Sequence, residues 1–363
     1  MKLTYDKKQE KHIWLTKLTQ FSKHPYFPIL LLGFVLILLQ VIGSTGVIKP
    51  SVLNFLSPVL TRYIVALGFL MLLGYAGLAS LGTAGFMGLG AYLVGYLFET
   101  AGVSAEMAFI IGLILSLVLG TIVGFISLRI EGMYLAIVTL GLSEILKNFF
   151  QNSPLTGGAM GMNLEAGIKF LGTFSSNTLT YNPVYYIIVI FMIVLMIWTI
   201  NIIKSPTGRA FLSIKNSTSA AQAMGISLLK YRLSAFLLAT LFAVTGGMLT
   251  MIRSLTAYPA TWGIDLSLNV LAAVVIGGTK SIWGVLVGTF IIFGMKDLIL
   301  VKIPFFQTYK NAHLMFSGAL IILVVMFYPG GVIKLFTDLK ALVIKGYNKL
   351  ITVWKEYRYG KDI

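Results

Sequence analysis

"SPTGRAFLSIKNSTSAAQAMGIS", residues 205–227, stands between two of the most apolar runs of the chain. It carries Arg209 and Lys215, a string of small polar residues, and then Ser-Ala-Ala-Gln-Ala-Met-Gly. A soluble-looking segment between two hydrophobic runs reads as a loop that has left a membrane. Its positive charge places that loop on the cytoplasmic side, because short cytoplasmic loops are enriched in Lys and Arg.

The whole composition supports that setting. The chain has 363 residues, of which 57% are hydrophobic and 11% charged. Soluble domains carry roughly 25% charged residues. The net charge of +16 would suit nucleic acid. Here, however, the basic residues gather at the two ends and in the 204–232 region, with long apolar runs between them. That pattern fits cytoplasmic loops and anionic lipid, not nucleic acid. There is no cysteine and there are three histidines, His12, His24 and His313, so thiolate chemistry is excluded and a histidine metal centre is not expected.

A helix needs about 20 residues to cross the hydrocarbon core. Candidate spans are 28–48, 53–73, 83–98, 107–128, 132–150, 183–203, 231–252, 267–278, 283–300 and 312–333. The expected fold is therefore all-α and polytopic, with about ten (eight to ten) spans. The first run follows more than twenty polar residues and reads as an uncleaved span, not a signal peptide. Segments 83–98 and 267–278 look too short to cross alone. Both border glycine-rich stretches, "GYAGLASLGTAG" (74–85) and "IGGTKSIWG" (276–284). Such breaks often mark where a pathway passes the midplane, since irregular backbone at that depth survives only inside protein or beside water.

Three basic clusters set the orientation. They are Lys2 to Lys23 in the N-terminal tail, Lys204 to Arg232 in the internal loop, and Lys334 to Lys361 in the C-terminal tail. Six spans separate the first from the second and four the second from the third, so all three can be cytoplasmic. Residues 151–182 then fall outside; so do Lys296, Lys302 and Lys310, against the rule. The expected division is a basic tail 1–27, a membrane domain 28–333 containing the cytoplasmic loop 204–230, and a basic tail 334–363. Trp14, Leu18 and Phe21 share one helical face, as do Leu339, Leu342, Leu350 and Trp354 approximately. The tails thus read as helices lying on the membrane, or else as solvated basic segments.

Charges inside a span are costly and default to functional candidates. Glu144 and Lys147 are three apart and share a face. Glu144 lies roughly 18 Å from the inner end of its span. It either faces a solute pathway or forms a structural pair that holds the span to its neighbours. Arg62 is either buried against another helix or marks a span that starts later, and Asp265 sits near an outer boundary.

Several chemistries lack their motifs. A Walker A loop needs G-x-x-x-x-G-K-[ST], so that backbone N–H groups cradle phosphates and the lysine reaches the outer ones. "VIGGTKS" (275–281) has Thr279 in place of the last glycine and lacks the upstream one. No Ser-His-Asp set, HExxH or intramembrane ladder of acids is present. The chain reads as a conduit powered by another subunit, with no catalytic residue, metal or cofactor of its own.

Four stretches carry a resemblance to a known family. They are "ALGFLMLLGYAGLASLGTAGFMGLGAYLVG" (66–95), "GMYLAIVTLGLSEILKNFFQNSPLTGGAMGM" (132–162), "SPTGRAFLSIKNSTSAAQAMGISLLKYRLSAFLLATLFAVTGGML" (205–249) and "VLAAVVIGGTKSIWGVLVG" (270–288). In this order and spacing they resemble the LivM-type permease subunits of branched-chain amino acid ABC importers. The resemblance covers residues 60 to 333 approximately. It implies a bacterial inner-membrane permease paired with a second related permease, two ATPases that bind ATP and magnesium, and an extracytoplasmic binding protein. It further implies that a short helix in the 204–230 loop docks on the ATPase.

The residues of the opening stretch fit such a helix. Asn216 or Ser217 can accept from its first free N–H groups, and Gly225 suits a left-handed end. Ala220, Ala221 and Met224 form a small apolar face for a groove on the ATPase, with Arg209 and Lys215 meeting acids or lipid headgroups. A polar interfacial loop is the plainer reading. Gate or solute candidates are Glu144, Thr156, Gly157, Gly158, Gly277 and Gly278. Many relatives have histidine where Thr83 stands, and a polar or acidic residue where Ala159 and Met160 follow the TGG triplet. The resemblance implies a branched-chain or other small amino acid as the solute, with urea, nucleosides or sugars as alternatives. An ion-coupled secondary carrier is the competing class.

Overall fold

A computed structural model describes residues 26–45, 55–127, 133–165, 167–175, 183–295, 312–328, 330–335, 338 and 351. The expected surface helices of both tails, and Lys296, Lys302 and Lys310, lie outside the described residues. Helices stand at each expected span. They are α1 (Phe27–Ser44), α2 (Leu56–Phe69, continued by a π-helical turn Leu70–Tyr75), α3 (Thr83–Glu99), α4 (Ala105–Ser127), α5 (Met133–Asn152) and α6 (Val184–Lys204). After the short helices α7 (Pro206–Asn216) and α8 (Thr218–Ala223) come α9 (Leu228–Ser254), α10 (Ile264–Gly277), α11 (Ile282–Thr289, continued by a π-turn Phe290–Gly294) and α12 (Ala312–Phe327). The chain is an all-α polytopic membrane protein.

Five of these, α1, α2 with its π-turn, α4, α6 and α9, are long and apolar enough to cross a membrane. The expected short segments are short indeed. The 17 residues of α3 reach about 25 Å and the 14 of α10 about 21 Å, at 1.5 Å per residue. Helix α5 has 20 residues, which is length enough, but it is not among the five apolar helices because Glu144, Lys147 and neighbouring amides dilute it.

Contacts sort the helix ends into two sides. On one side Tyr26 donates to Asn201 near the end of α6. Lys215 of α7 donates to the end of the α2 π-turn. Gly74 abuts the carbonyl of Thr279, and Gly278 abuts Gly330 and Gly331. The start of α1, the basic loop, the α10–α11 turn and the end of α12 therefore share a side, as an even number of spans between basic clusters requires. On the other side lie two short antiparallel ribbons, β1 (Met162–Asn163) with β4 (Thr256–Ala257), and β2 (Ile168–Phe170) with β3 (Thr173–Ser175).

The core is built around α9. Lipid gives helices no hydrophobic reason to associate, so packing relies on small residues that let backbones approach. The run Thr245-Gly246-Gly247 supplies them. Gly247 rests on the Met87 carbonyl of α3, and Gly246 on Val65 and the Thr61 carbonyl of α2. Gly112 and Gly120 of α4 receive Met248 and Thr240 of α9. Lipid-facing Ile110, Ile114, Val118 and Ile122 lie exposed on α4. Arg62 stays within α2, with its guanidinium 4.9 Å above the Phe293 ring. That resolves its ambiguity in favour of burial against another helix, since a cation over an aromatic face is partly compensated for lost water.

Candidate functional site

The basic loop is two helices, not one. Ser205 caps α7 by accepting from the Gly208 N–H at 3.4 Å, with Pro206 at the first helical position, where a missing N–H costs nothing. Between the candidate caps, Ser217 takes the role: it lies extended and its Oγ accepts from the Ala220 N–H at 3.2 Å. Asn216 closes α7. Just past the end of α8 stands Gly225, whose φ of +78° is the left-handed geometry expected there.

Two expectations for this loop need correction. Ala221 is only 2% exposed and faces inward, on a helix that packs against α7 and α9. The outward residues are Ala220 and Met224, the latter 83% exposed. Lys215 turns to the protein's own backbone. Its Nζ donates to the Gly74 carbonyl at 2.7 Å and the Leu73 carbonyl at 3.4 Å, at the end of α2. Burial there, with Lys280 nearby, holds its pKa below the usual lysine value. Arg209 stays exposed and bonds the Lys204 carbonyl at 3.3 Å.

The first glycine-rich stretch is a true break. After the π-turn, residues 76–82 run without helix to the start of α3. An unwound backbone at this depth must find partners within protein. Four hydroxyls supply them. Thr139 Oγ1 accepts from Leu81 N–H at 3.0 Å, and Ser80 Oγ from Gly82 N–H at 3.3 Å. Ser267 Oγ accepts from Ala84 N–H at 2.9 Å, and Ser143 Oγ from Gly85 N–H at 3.1 Å. Three of the four come from α5 and α10. Beside them a small cavity is lined by Ser80, Thr83 and Thr240 among apolar neighbours. Sequence reasoning found the break but not these partners. Ser and Thr are common in spans, and no local signal tells a hydroxyl that serves a distant N–H from one bonded to its own helix.

The other candidates are dispersed. Lys147 Nζ and Glu144 Oε2 lie 3.5 Å apart with side chains 32% and 37% exposed. They share a face of α5 with exposed Tyr134, Ile137, Ile145 and Asn148, and with Gly141, which has open space before it. Thr156 is buried at the outer end, where its hydroxyl donates to the Phe150 and Ser153 carbonyls. Gly157 and Gly158 follow at φ +75° and +61°. Beyond them Met160 projects, 88% exposed. Gly277 and Gly278 lie at the opposite end, in the α10–α11 turn, so the structure does not bring the gate candidates together. Among the described residues no group of acids and histidines could hold a metal.

Comparisons with known proteins agree with this architecture. A family model described as branched-chain amino acid transport system / permease component matches residues 51–325. The chain is 27% identical over 293 residues to the high-affinity branched-chain amino acid transport system permease protein LivM of Escherichia coli (strain K12), covering 75% of this chain and 67% of the relative. The LivM protein of Salmonella typhimurium matches to the same extent, 27% over 293 residues. A probable branched-chain amino acid transport permease protein LivH of Methanocaldococcus jannaschii is 31% identical over 156 residues, 43% of this chain and 44% of the relative. No solved structure matches.

Proposed function

The chain belongs to the family of branched-chain amino acid transport system permease components, and on that premise we propose that it is the membrane-spanning subunit of an ATP-driven importer of branched-chain amino acids. It is a transport component of the bacterial inner membrane that crosses the bilayer several times. The observation that carries the mechanism is the basic loop. A short capped helix, α8, presents Ala220 and an exposed Met224 on the side where the loop's cations gather. A flexible thioether suits an irregular groove. In this reading α8 docks on one of two partner ATPases, which bind ATP and magnesium, and Arg209 meets acidic residues or headgroups.

The exposed face of α5 supports a second permease subunit. A carboxylate and an ammonium more than a third and nearly a third exposed do not face acyl chains when partners exist. Tyr134, Ile137, Gly141 and Ile145 would pack on the second subunit, with Glu144 at the edge of a shared pathway and a binding protein delivering solute near Thr156, Gly157 and Gly158. Gly277 and Gly278 would act as the fixed hinge on the ATPase side.

The test is reconstitution in vesicles with the ATPases, the second permease and the binding protein. Uptake of leucine, isoleucine or valine should need ATP and the binding protein. Uptake by this chain alone on an ion gradient would overturn the class. Competition by urea, nucleosides or sugars but not by leucine would overturn the solute. Met224→Glu should release the ATPases from the purified complex.

A further inference from the structure

The end of α2 is wound too wide, its last bonds reaching five and six residues back where an α-helix reaches four. Ala76 N–H donates to Met71 O at 3.1 Å, and Leu78 N–H to Leu72 O at 3.0 Å. Gly77, at φ +72°, makes the reversal possible. In an α-helix the last-turn bonds would fall on later carbonyls. Here the π spacing passes over the carbonyls of Leu73 and Gly74, which are left as orphan acceptors of a helix end. The donor that fills them comes from 141 residues away, Lys215 on the last turn of α7, through Gly74 O at 2.7 Å and Leu73 O at 3.4 Å. Its stem lies along Gly77, where an added Cβ would stand 3.0 Å from Lys215 Cγ. A cation at a helix C-terminus is favoured by the dipole, and these acceptors are helix carbonyls. Among the described residues no carboxylate pairs with Lys215.

We propose that Lys215 is the positioning residue through which the basic loop sets the winding of α2 and hence the broken segment 76–82. With the ammonium in place, the π-turn is capped and the break holds its present form. When α7 is drawn away, Leu73 and Gly74 carbonyls recover their acceptor capacity, and the N–H groups of Gly77 and Leu78 can take them in α register. Each residue of register change moves the following chain by about 1.5 Å along the axis and turns it by roughly 100°. That movement acts on Ser80, Thr83 and the start of α3, which line the cavity against α9. The proposal rests on the reading that α8 docks on an ATPase.

The complex reconstituted with its ATPases, second permease and binding protein supplies the test. Lys215→Met keeps the stem and removes the donor. We expect the ATPases to remain bound and ATP to be hydrolysed, while uptake per ATP falls about tenfold, within the usual range of coupling between sites. Lys215→Arg, which can donate to both carbonyls, should restore most of the ratio. Paired spin labels at Ala79 and Glu99 should report a distance change between nucleotide-free and ATP-bound complex, lost in Lys215→Met. A wild-type uptake-to-ATP ratio in Lys215→Met, or a joint fall of both activities in step with folded protein and no rescue by arginine, overturns the proposal. If it fails that way while Met224→Glu still releases the ATPases, the docking reading stands without it. If Met224→Glu keeps the ATPases bound and uptake intact, the docking reading falls, and the proposal with it.

Discussion

Residues 74–85 and 276–284 look alike in the sequence, each a glycine-rich interruption beside a short apolar segment, yet they fold into opposite devices. The second closes on itself. Gly277 of α10 and Gly284 of α11 meet backbone to backbone, Gly288 rests on the Ala273 carbonyl, and Gly278 at φ +110° is backed by Gly330 and Gly331. Side chains add to that closure, Ser281 Oγ accepting from the Gly284 N–H and Tyr63 and Tyr75 donating to the Ile282 and Lys280 carbonyls, but the backbones already meet without them. The first is held open by others: hydroxyls from α5 and α10 take its N–H groups and Lys215 takes its stranded carbonyls. Steric closure makes a fixed turn. Side-chain closure makes a segment whose partners can leave one at a time, and that is what a moving part requires.

The strongest way to break this contrast is at the closed turn. Gly277→Val or Gly284→Val strikes opposing backbone, not a flexible side chain. The cost should reach at least about 3 kcal/mol, the upper end of ordinary overpacking. Thermal unfolding in detergent checks it, and a variant as stable as the parent would show that the turn can open. At the first break, Ser143→Ala and Ser267→Ala each strand one N–H. Each should cost about 1–3 kcal/mol, with faster hydrogen exchange confined to residues 81–86. Unchanged exchange there would mean that the hydroxyls are not what holds the segment.

Smaller effects sharpen the comparison. Gly225→Ala tests conformation without packing, because an added Cβ meets nothing within 4 Å. Only the left-handed φ is charged against it, about 1 kcal/mol, and chemical denaturation should find little more. A larger loss would point to a partner surface over α8. Glu144→Gln should change stability least, by less than about 1 kcal/mol, as for a partly exposed pair. Its uptake should nevertheless fall if the carboxylate meets the solute. Uptake that merely tracks the small stability change would make the pair structural.

Much of the architecture was legible because membranes restrict it. Spans must be apolar, long and internally bonded, so the hydropathy pattern located helices at each expected position, including the two that proved short. Caps were legible too, since Ser217 and Gly225 act through local geometry. The burial of Ala221 was not. On a six-residue helix, periodicity gives a stripe but not the side from which the neighbours come; α8 packs against α7 and α9, and Ala221 is the residue left buried. The partner of Lys215 was hidden for a related reason. A charge in a loop invites another charge, and two orphan carbonyls have no mark in the sequence.

By itself the sequence determined that this is a polytopic helical membrane protein, with a basic loop between its sixth and seventh spans and a break near each short segment. Those features follow from composition and local spacing, which desolvation and helix geometry convert directly into structure. Only the tertiary structure decided which break is sealed and which is held by exchangeable partners. It also decided that Met224 and not Ala221 is offered outward, and that Lys215 points into the membrane domain. Each of those depends on which distant backbone groups are left unsatisfied, and that is known only once the helices are packed.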